Sequence, residues 1–223
     1  MRTTIAPIVP ALALIVVASS AWSADVYVEK MPPRAPCPLS GDKSATDPKG
    51  KENAAKNRWR IPQTSDFDNT VTTQALVQPG DDRTRWSGKR AARIRGYVAV
   101  VKLGTKKESC NCGAPAPVDS DTHIALVVNK AAAKDKRKYV IIEVTPRLRE
   151  IMASQNPPFD WSTSTLKKNL LGKYVEFQGW LFFDSAHIGS ATNTHPRDPN
   201  GNNWRVTCWE IHPVTGFKTI PHP

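Results

Sequence analysis

Alternating apolar and polar residues in the second half of the chain predict a series of β-strands. The first strand runs from Arg93 to Leu103, with Gly96 marking a bend. The alternation assigns one face of this strand to Ile94, Gly96, Val98 and Val100 and the other face to Arg93, Arg95, Tyr97 and Val101. The next two predicted strands are Asp121–Val128 and Lys138–Val144, joined by the polar loop of residues 129–137.

The same alternation predicts how the second and third strands pair. The interior face would hold Ile124, Leu126, Val128, Val140 and Ile142. Aligning Ile124 with Ile142 places His123 directly opposite Glu143 on the other face. Because directly opposite side chains of an antiparallel pair are in contact, the pattern predicts a pair between imidazole and carboxylate.

Helical spacing replaces alternation after the third strand. Thr145 is a candidate N-cap before Pro146, and Leu148, Ile151 and Met152 recur at helical intervals until residues 156–158 end the helix. A second short helix is predicted over Thr163–Leu171, ending at Gly172. The fourth strand is predicted at Tyr174–Asp184 and the fifth at Trp204–Pro213, with Phe217–Ile220 as an extension of the fifth.

Three strands, a helix and two further strands are the element order of an OB-type Greek-key barrel, in which the helix closes one end. The segment from Gly172 to Leu181 also resembles an OB-fold strand. The sequence therefore predicts a mainly β protein with a five-stranded OB-like barrel over residues 88–223 and a helix between strands three and four.

The N-terminal part of the chain has a different character. Residues 1–23 combine Arg2, an apolar stretch and small residues before Ser23, which predicts a signal peptide cleaved after Ser23 or Ala24; a retained membrane anchor is the alternative. No second apolar segment follows, so no membrane span is expected after signal removal. Residues 24–87 are rich in Pro, Asp, Lys, Thr and Asn and predict an irregular or partly disordered arm. The mature chain is expected in the periplasm or outside the cell.

The charge of the chain restricts its partners to a class. The formal net charge is +11 at pH 7, which favours polyanions such as nucleic acid, anionic lipid headgroups or acidic glycans. The alternative is that the lysines only keep an exported protein in solution. Charge gives no information on oligomeric state.

Four cysteines, Cys37, Cys110, Cys112 and Cys208, would meet an oxidising compartment after export, where disulfides are the default. A ring between Cys110 and Cys112 would be strained, which favours a longer closure from Cys37 or Cys208 to this loop. A four-thiolate zinc site is less favoured, because the C-x-C spacing differs from the usual zinc knuckle.

Histidines accompanied by acidic residues form the candidate metal site. The motifs are Asp121-x-His123, Asp184-x-x-His187 and Glu210-x-His212. Imidazole and carboxylate ligands suit zinc, manganese or iron, so one divalent ion could be held by a subset of His123, Glu143, His187 and His212 and could activate water, as in a phosphodiesterase-like hydrolase. The alternative is a set of ordinary hydrogen-bonded pairs and no cofactor. No compact metalloprotease, P-loop or dinucleotide motif is present.

A binding surface is the other candidate site, since OB barrels present strands two and three and nearby loops to ligands. Candidate aromatic platforms are Tyr97, Tyr139, Trp180 and Trp204, and candidate cations are Arg93, Arg95, Lys136, Arg137, Lys138 and Arg205. Core packing is the alternative for each aromatic residue. A non-enzymatic module for a polyanion such as single-stranded nucleic acid or an acidic glycan is the first interpretation, a metal-dependent hydrolase the second, and a structural or partner-binding envelope protein the third.

Three further segments carry a resemblance. They are Glu108-Ser-Cys-Asn-Cys112, Gly179-Trp-Leu-Phe-Phe-Asp184 with His187, and Asn203-Trp-Arg with Trp209-Glu-Ile-His-Pro213. Over roughly residues 94–220 the chain resembles a group of secreted bacterial proteins of unassigned function. The resemblance implies a domain of these bounds and brings no substrate or catalytic residue.

Overall fold

Five strands close into a barrel in the computed structural model of this protein. They are β1 Ala91–Leu103, β2 Thr122–Val127, β3 Val140–Val144, β4 Tyr174–Phe183 and β5 Trp209–Thr219. Their order around the barrel is β1-β2-β3-β5-β4, and β4 returns to β1. Neighbours are antiparallel except β3 and β5, which are parallel. This topology is that of an OB-type barrel and confirms the predicted fold class.

The structure describes residues 37–105, 108–114, 116–156 and 158–222. The predicted signal peptide and the start of the predicted arm lie outside these residues. Within the described ranges, no helix combines the length and apolar character needed to cross a bilayer.

Among the described residues, four α-helices accompany the barrel: α1 Pro48–Lys56, α2 Thr73–Leu76, α3 Pro146–Ala153 and α4 Thr163–Leu170. Short 3-10 turns lie at residues 64–66, 109–111, 117–119, 130–132, 136–138 and 185–190. The Thr145 side chain accepts a hydrogen bond from the Leu148 amide, with Pro146 in the first turn of α3. Both helices predicted between β3 and β4 are therefore confirmed.

The predicted register of β2 and β3 is also confirmed. Ile124 pairs with Ile142 and His123 pairs with Glu143. Ile124 and Ile142 are fully buried in the barrel core. Burial of one face fixes the register, since a slip by one residue would expose the whole apolar row.

The predicted faces of β1 are wrong beyond Val98. The pairing of β1 with β2 shifts between Val98 and Val100, so that Val101 is buried and Val100 is half-exposed. A β-bulge inserts one residue and reverses the alternation after it. The outer face of this half of β1 therefore carries Val100 and Lys102.

The fifth strand begins later than predicted and continues through the residues predicted as its extension. It runs without interruption from Trp209 to Thr219, whereas residues 204–208 lie outside it. Pro213 is accommodated where the pairing of β4 with β5 shifts around Gly179. A Cβ atom at Gly179 would lie 2.2 Å from the Pro213 carbonyl oxygen, so this close approach requires glycine.

The described part of the predicted arm contributes two helices and several core residues. Val71 and Leu76 are 1 % exposed and belong to the main core cluster. The fully buried Asp82 carboxylate accepts hydrogen bonds from Asn193 Nδ2 at 2.7 Å and Thr207 Oγ1 at 2.6 Å. The buried apolar residues of this segment follow no strand or helix period. The sequence pattern therefore did not predict that the segment packs against the barrel.

Candidate functional site

A continuous chain of charged side chains runs through one end of the barrel. We call it the ionic network and define it by the following residues: His187, Asp184, Arg205, Glu210, His212, Glu143, His123, Glu108, Asp121 and Lys56. Most of these side chains are buried in the interior, where charges persist only when they are paired. The network brings together elements that are far apart in sequence, from α1 to β5.

Arg205 lies at the centre of this network. Its Nη2 is 2.8 Å from Glu210 Oε1, its Nη1 is 3.4 Å from Asp184 Oδ2, and its Nε donates to the Thr207 carbonyl oxygen at 2.7 Å. Burial lowers the pKa of Arg205, but the Glu210 and Asp184 carboxylates outweigh burial and raise it. The side chain is fully buried, so Arg205 is not a surface cation as its candidate role required.

His212 is held between two carboxylates. Its Nδ1 lies 3.1 Å from Glu143 Oε2 and 3.2 Å from Glu210 Oε2. Its Nε2 points towards Asp121, with 3.8 Å to Asp121 Oδ2. Glu210 and His212 are two residues apart on β5 and therefore share a face, as their spacing predicted.

His123 connects the network to the surface. Its Nε2 lies 3.2 Å from Glu108 Oε1 and 3.5 Å from Glu143 Oε1, and its side chain is 21 % exposed. Burial lowers the pKa of His123, but Glu143 and Glu108 raise it to about 9. Burial would raise the pKa of Glu108, but the hydrogen bond with His123 lowers it to about 2. This end of the network therefore carries a charged pair at neutral pH.

Two of the buried carboxylates, Asp121 and Glu143, are short of positive charge. Burial raises the pKa of both Asp121 and Glu143 to about 7, because neighbouring cations offset only part of the cost of desolvation. Lys56 of α1 supplies one cation. Burial lowers the pKa of Lys56, but Glu143, Glu210 and Asp184 together outweigh burial and raise it.

The four predicted metal ligands divide into two groups. His123, Glu143 and His212 lie in contact with one another through Glu143. His187 is at the other end of the network, where its Nδ1 pairs with Asp184 Oδ2 and its ring meets the Trp204 ring edge-on at 5.1 Å. Asp184 and Arg205 separate His187 from the other three.

A groove on the outer face of β1, β2 and β3 borders the network at His123. It encloses about 220 Å³. Its walls are Val100, Lys102, His123, Ile124, Ala125, Lys136, Tyr139, Ile141 and Trp204. Tyr139 and Trp204 are half-buried and both lysines are exposed. Aromatic rings and cations, the two residue types that a polyanion-binding face needs, therefore line one depression.

Contacts fix the two aromatic rings of the groove. The Tyr139 hydroxyl donates to the Ala133 carbonyl oxygen at 2.8 Å. Trp204 lies in the connection between β4 and β5, with its ring edge-on to His187 and the Arg205 guanidinium 5.2 Å from its centre. Contacts within the protein thus hold both rings in place.

The other predicted binding residues lie elsewhere. Arg93, Arg95 and Tyr97 are on the half of β1 that pairs with β4. There Arg93 covers the Phe67 ring, Arg95 pairs with Glu176, and Tyr97 meets Tyr174 edge-on. Lys138 lines a neighbouring depression of about 400 Å³. Arg137 pairs with Asp135 at the surface, and Trp180 is buried under Arg58 and Arg60.

One disulfide joins Cys37 to Cys112, which are 75 positions apart in sequence. This is one of the long closures that the sequence favoured. Cys110 and Cys208 are free and buried, so their assignment as disulfide cysteines was wrong. Each occupies a polar site instead: Cys110 Sγ lies 4.0 Å from Asp121 Oδ2, and Cys208 Sγ lies 3.6 Å from Thr194 Oγ1.

Sequence reasoning missed Glu108, Lys56 and Lys102 as site residues. Lys56 lies in the predicted arm, where no pattern links it to the barrel. Lys102 is revealed only by the bulge in β1. Glu108 stands in one of the segments that carry the resemblance, and this was its only signal.

Comparisons of the chain with protein-family models, with curated proteins and with solved structures found no match.

The contribution of Asp184 to the free energy of unfolding should depend on pH, and this dependence tests the ionic network. Burial would raise the pKa of Asp184, but the hydrogen bond with His187 and the charges of Lys56 and Arg205 lower it. A carboxylate with a depressed folded pKa stabilises the fold above its unfolded value of about 3.9, and this stabilisation is lost as the pH falls below that value. We expect Asp184→Asn to lose about 2 kcal/mol at neutral pH, measured by urea unfolding.

The gap between wild type and Asp184→Asn should close as the pH is lowered below about 4. Asp135→Asn, which removes the carboxylate of an exposed pair with Arg137, is the matched control and should show a much smaller gap. A gap for Asp184→Asn that stays constant over the acidic range would contradict the assignment.

Proposed function

We propose that this protein is an exported OB-fold module that binds a polyanionic chain, single-stranded nucleic acid in the first place, in the groove of β1, β2 and β3. The observation that carries the proposal is the convergence of Tyr139, Trp204, Lys102 and Lys136 on this groove. Aromatic rings stack on bases without sequence preference, and lysines neutralise phosphates.

The position of the groove in the fold supports this function. OB folds bind oligonucleotides and oligosaccharides on the face of strands two and three, with the help of the connection between strands four and five. The groove lies on that face, and Trp204 comes from that connection. The net charge of +11 would draw a polyanion towards the surface from any direction.

Export is part of the proposal. The disulfide between Cys37 and Cys112 is typical of an oxidising compartment. Acidic glycans are the other polyanions that the proposal admits, so both polymers belong in the assay.

The metal-dependent hydrolase ranks second. A catalytic metal needs an open position that a substrate can reach. Asp121 and His212 are fully buried, and Glu143 is 5 % exposed. This enclosure favours binding in the groove over hydrolysis at the network.

The test measures fluorescence anisotropy of a labelled oligothymidylate and of a labelled sulfated glycan over a range of salt concentrations. Tyr139→Ala and Trp204→Ala should each weaken nucleic-acid binding about 10-fold, because each removes a stacking platform. Lys102→Ala and Lys136→Ala should each reduce the slope of log K against log salt by about 0.7.

Lys168→Ala is the matched control, since this residue lies on α4 and does not line the groove. It should leave the affinity of the groove for the oligonucleotide close to that of wild type. The proposal would be overturned if none of the four groove substitutions changed the affinity for the oligonucleotide or its salt dependence. It would also be overturned if the oligonucleotide did not bind at low salt. Tighter binding of the glycan with the same sensitivity to the variants would assign the groove to acidic glycans.

A further inference from the structure

The environment of His212 is that of a metal ligand. Its Nδ1 is anchored by a hydrogen bond with Glu210 Oε2 at 3.2 Å. The residue is fully buried, and its Nε2 makes no hydrogen bond with the part of the chain that the structure describes. An imidazole that ligates a metal has this arrangement: one nitrogen is fixed by a carboxylate and the other is left for the ion.

Asp121 faces the same space from the start of β2. It is fully buried, and its Oδ1 also has no hydrogen-bond partner within the described ranges. Its Oδ2 lies 3.8 Å from His212 Nε2. One ligand atom each from Asp121, Glu143 and His212 lie within 4.8 Å of one another. Two buried polar atoms without hydrogen-bond partners, Asp121 Oδ1 and His212 Nε2, thus belong to one cluster of candidate ligands, a pattern that points to a cation site.

The charges of the network support this conclusion. Its five carboxylates, Glu108, Asp121, Glu143, Asp184 and Glu210, outnumber its cations, Lys56, Arg205 and the charged imidazole of His123. The Arg205 guanidinium is already committed to Asp184 and Glu210. A divalent ion beside Asp121 and Glu143 would compensate the two buried carboxylates that Arg205 does not contact.

We infer that Asp121, Glu143 and His212 bind one divalent transition-metal ion, zinc by preference. An imidazole with two carboxylates suits zinc and manganese, whereas magnesium and calcium prefer oxygen ligands alone. Cys110 favours zinc over manganese, because thiolates are ligands that zinc prefers. Its thiol lies beside Asp121, and these two residues form a second group of candidate ligands with Glu108. This inference goes beyond the proposed function and does not depend on it.

The role of the ion is to close the barrel. Asp121 precedes β2, Glu143 is on β3 and His212 is on β5. The parallel seam between β3 and β5 is paired at Ile142 and Ile211, each adjacent to a proposed ligand. An ion held by these three side chains joins both sides of this seam. Since the ligands are buried, the site has the closed character of a structural metal centre.

The experiment begins with the metal content of the full-length mature protein, purified without a histidine tag and measured by mass spectrometry. We expect about one zinc per chain. Removal by a chelator should lower the melting temperature, and added zinc should restore it more effectively than magnesium. Asp121→Asn removes a ligand with little change in shape and should weaken zinc binding about 100-fold or more.

Asp184→Asn is the matched control for Asp121→Asn. It alters a buried carboxylate of the same network that is not among the proposed ligands, so it should lose stability yet keep its zinc. Cys110→Ser tests the thiol: in the cobalt-substituted protein, loss of a thiolate-to-cobalt absorption band in this variant would identify Cys110 as a fourth ligand. If the Cys110→Ser variant keeps all the cobalt absorption bands of wild type, the protein ligands are limited to Asp121, Glu143 and His212.

Two results would overturn the inference. One is a wild-type protein without bound metal whose melting temperature does not respond to zinc. The other is zinc that remains fully bound in Asp121→Asn. If Asp121→Asn does not fold, the deciding test is a cobalt titration of chelator-treated wild type. Bound cobalt should give absorption bands that disappear when zinc is added. The absence of such bands would rule the site out. Each of these readouts is independent of polyanion binding, so failure here leaves the groove proposal standing.

Discussion

Replacement of Arg205 by alanine should destabilise the protein by about 3–5 kcal/mol. The substitution removes a fully buried guanidinium and leaves Asp184 and Glu210 without their shared partner. It also removes the hydrogen bond to the Thr207 carbonyl oxygen. The cost is large because an uncompensated buried charge loses its hydration without regaining it from the protein. Urea unfolding of the variant and wild type at neutral pH measures the difference.

Arg137→Ala is the control for this prediction, because Arg137 forms an exposed pair with Asp135. It should give no measurable change, since solvent screens such pairs. Arg205→Lys separates charge from geometry: lysine keeps the charge but cannot donate in two directions from a planar group, so it should fall between alanine and wild type. If Arg205→Ala unfolds at the same urea concentration as Arg137→Ala, the network does not stabilise the fold.

Removal of the disulfide should also have a large effect. The bond joins residues 75 apart, and a closure of that length stabilises a fold by about 4 kcal/mol through the unfolded chain. The double substitution Cys37→Ser and Cys112→Ser should therefore lower the free energy of unfolding by this amount. Peptide mapping without reductant should first link Cys37 to Cys112 and find free thiols at Cys110 and Cys208.

Cys208→Ser is the control for the disulfide, because it changes a buried cysteine that forms no bridge. Its cost should be about 1 kcal/mol, the value of a modest change in a packed polar site. A cross-link at Cys110 in the peptide map, or equal stability of the double variant and wild type, would be contrary to this assignment.

Local patterns predicted the fold because they coincide with the tertiary structure in most of the barrel. The contact of His123 with Glu143 followed from strand alternation alone, since a buried apolar row allows one register. The cap at Thr145 was equally local. Each of these features depends only on residues that are close in sequence or on one pair of strands. A sequence pattern can therefore predict it.

Other parts of the site depend on irregularities that no alternation reports. A single bulge turned Lys102 to the groove and Val101 to the core. Arg205 was predicted at the start of the fifth strand, but it lies in the connection before β5, and its side chain is fully buried. A charged residue in a polar loop is normally exposed, so only its two carboxylate partners explain its position. The groove and the network therefore became visible only in three dimensions.

Lys56 also has a consequence for the order in which the molecule is assembled. Helix α1 leaves the ribosome long before Glu143, Asp184 and Glu210, the carboxylates whose charge its lysine balances. Contacts between such distant positions slow folding, because a long stretch of chain must be ordered before they form. A chain that begins at Ala91 would retain every strand of the barrel, but it would lack the Lys56 charge that offsets these carboxylates. The segment that carries α1 therefore belongs to the folding unit, because the charges of Glu143, Asp184 and Glu210 are offset by Lys56 only after this helix has docked.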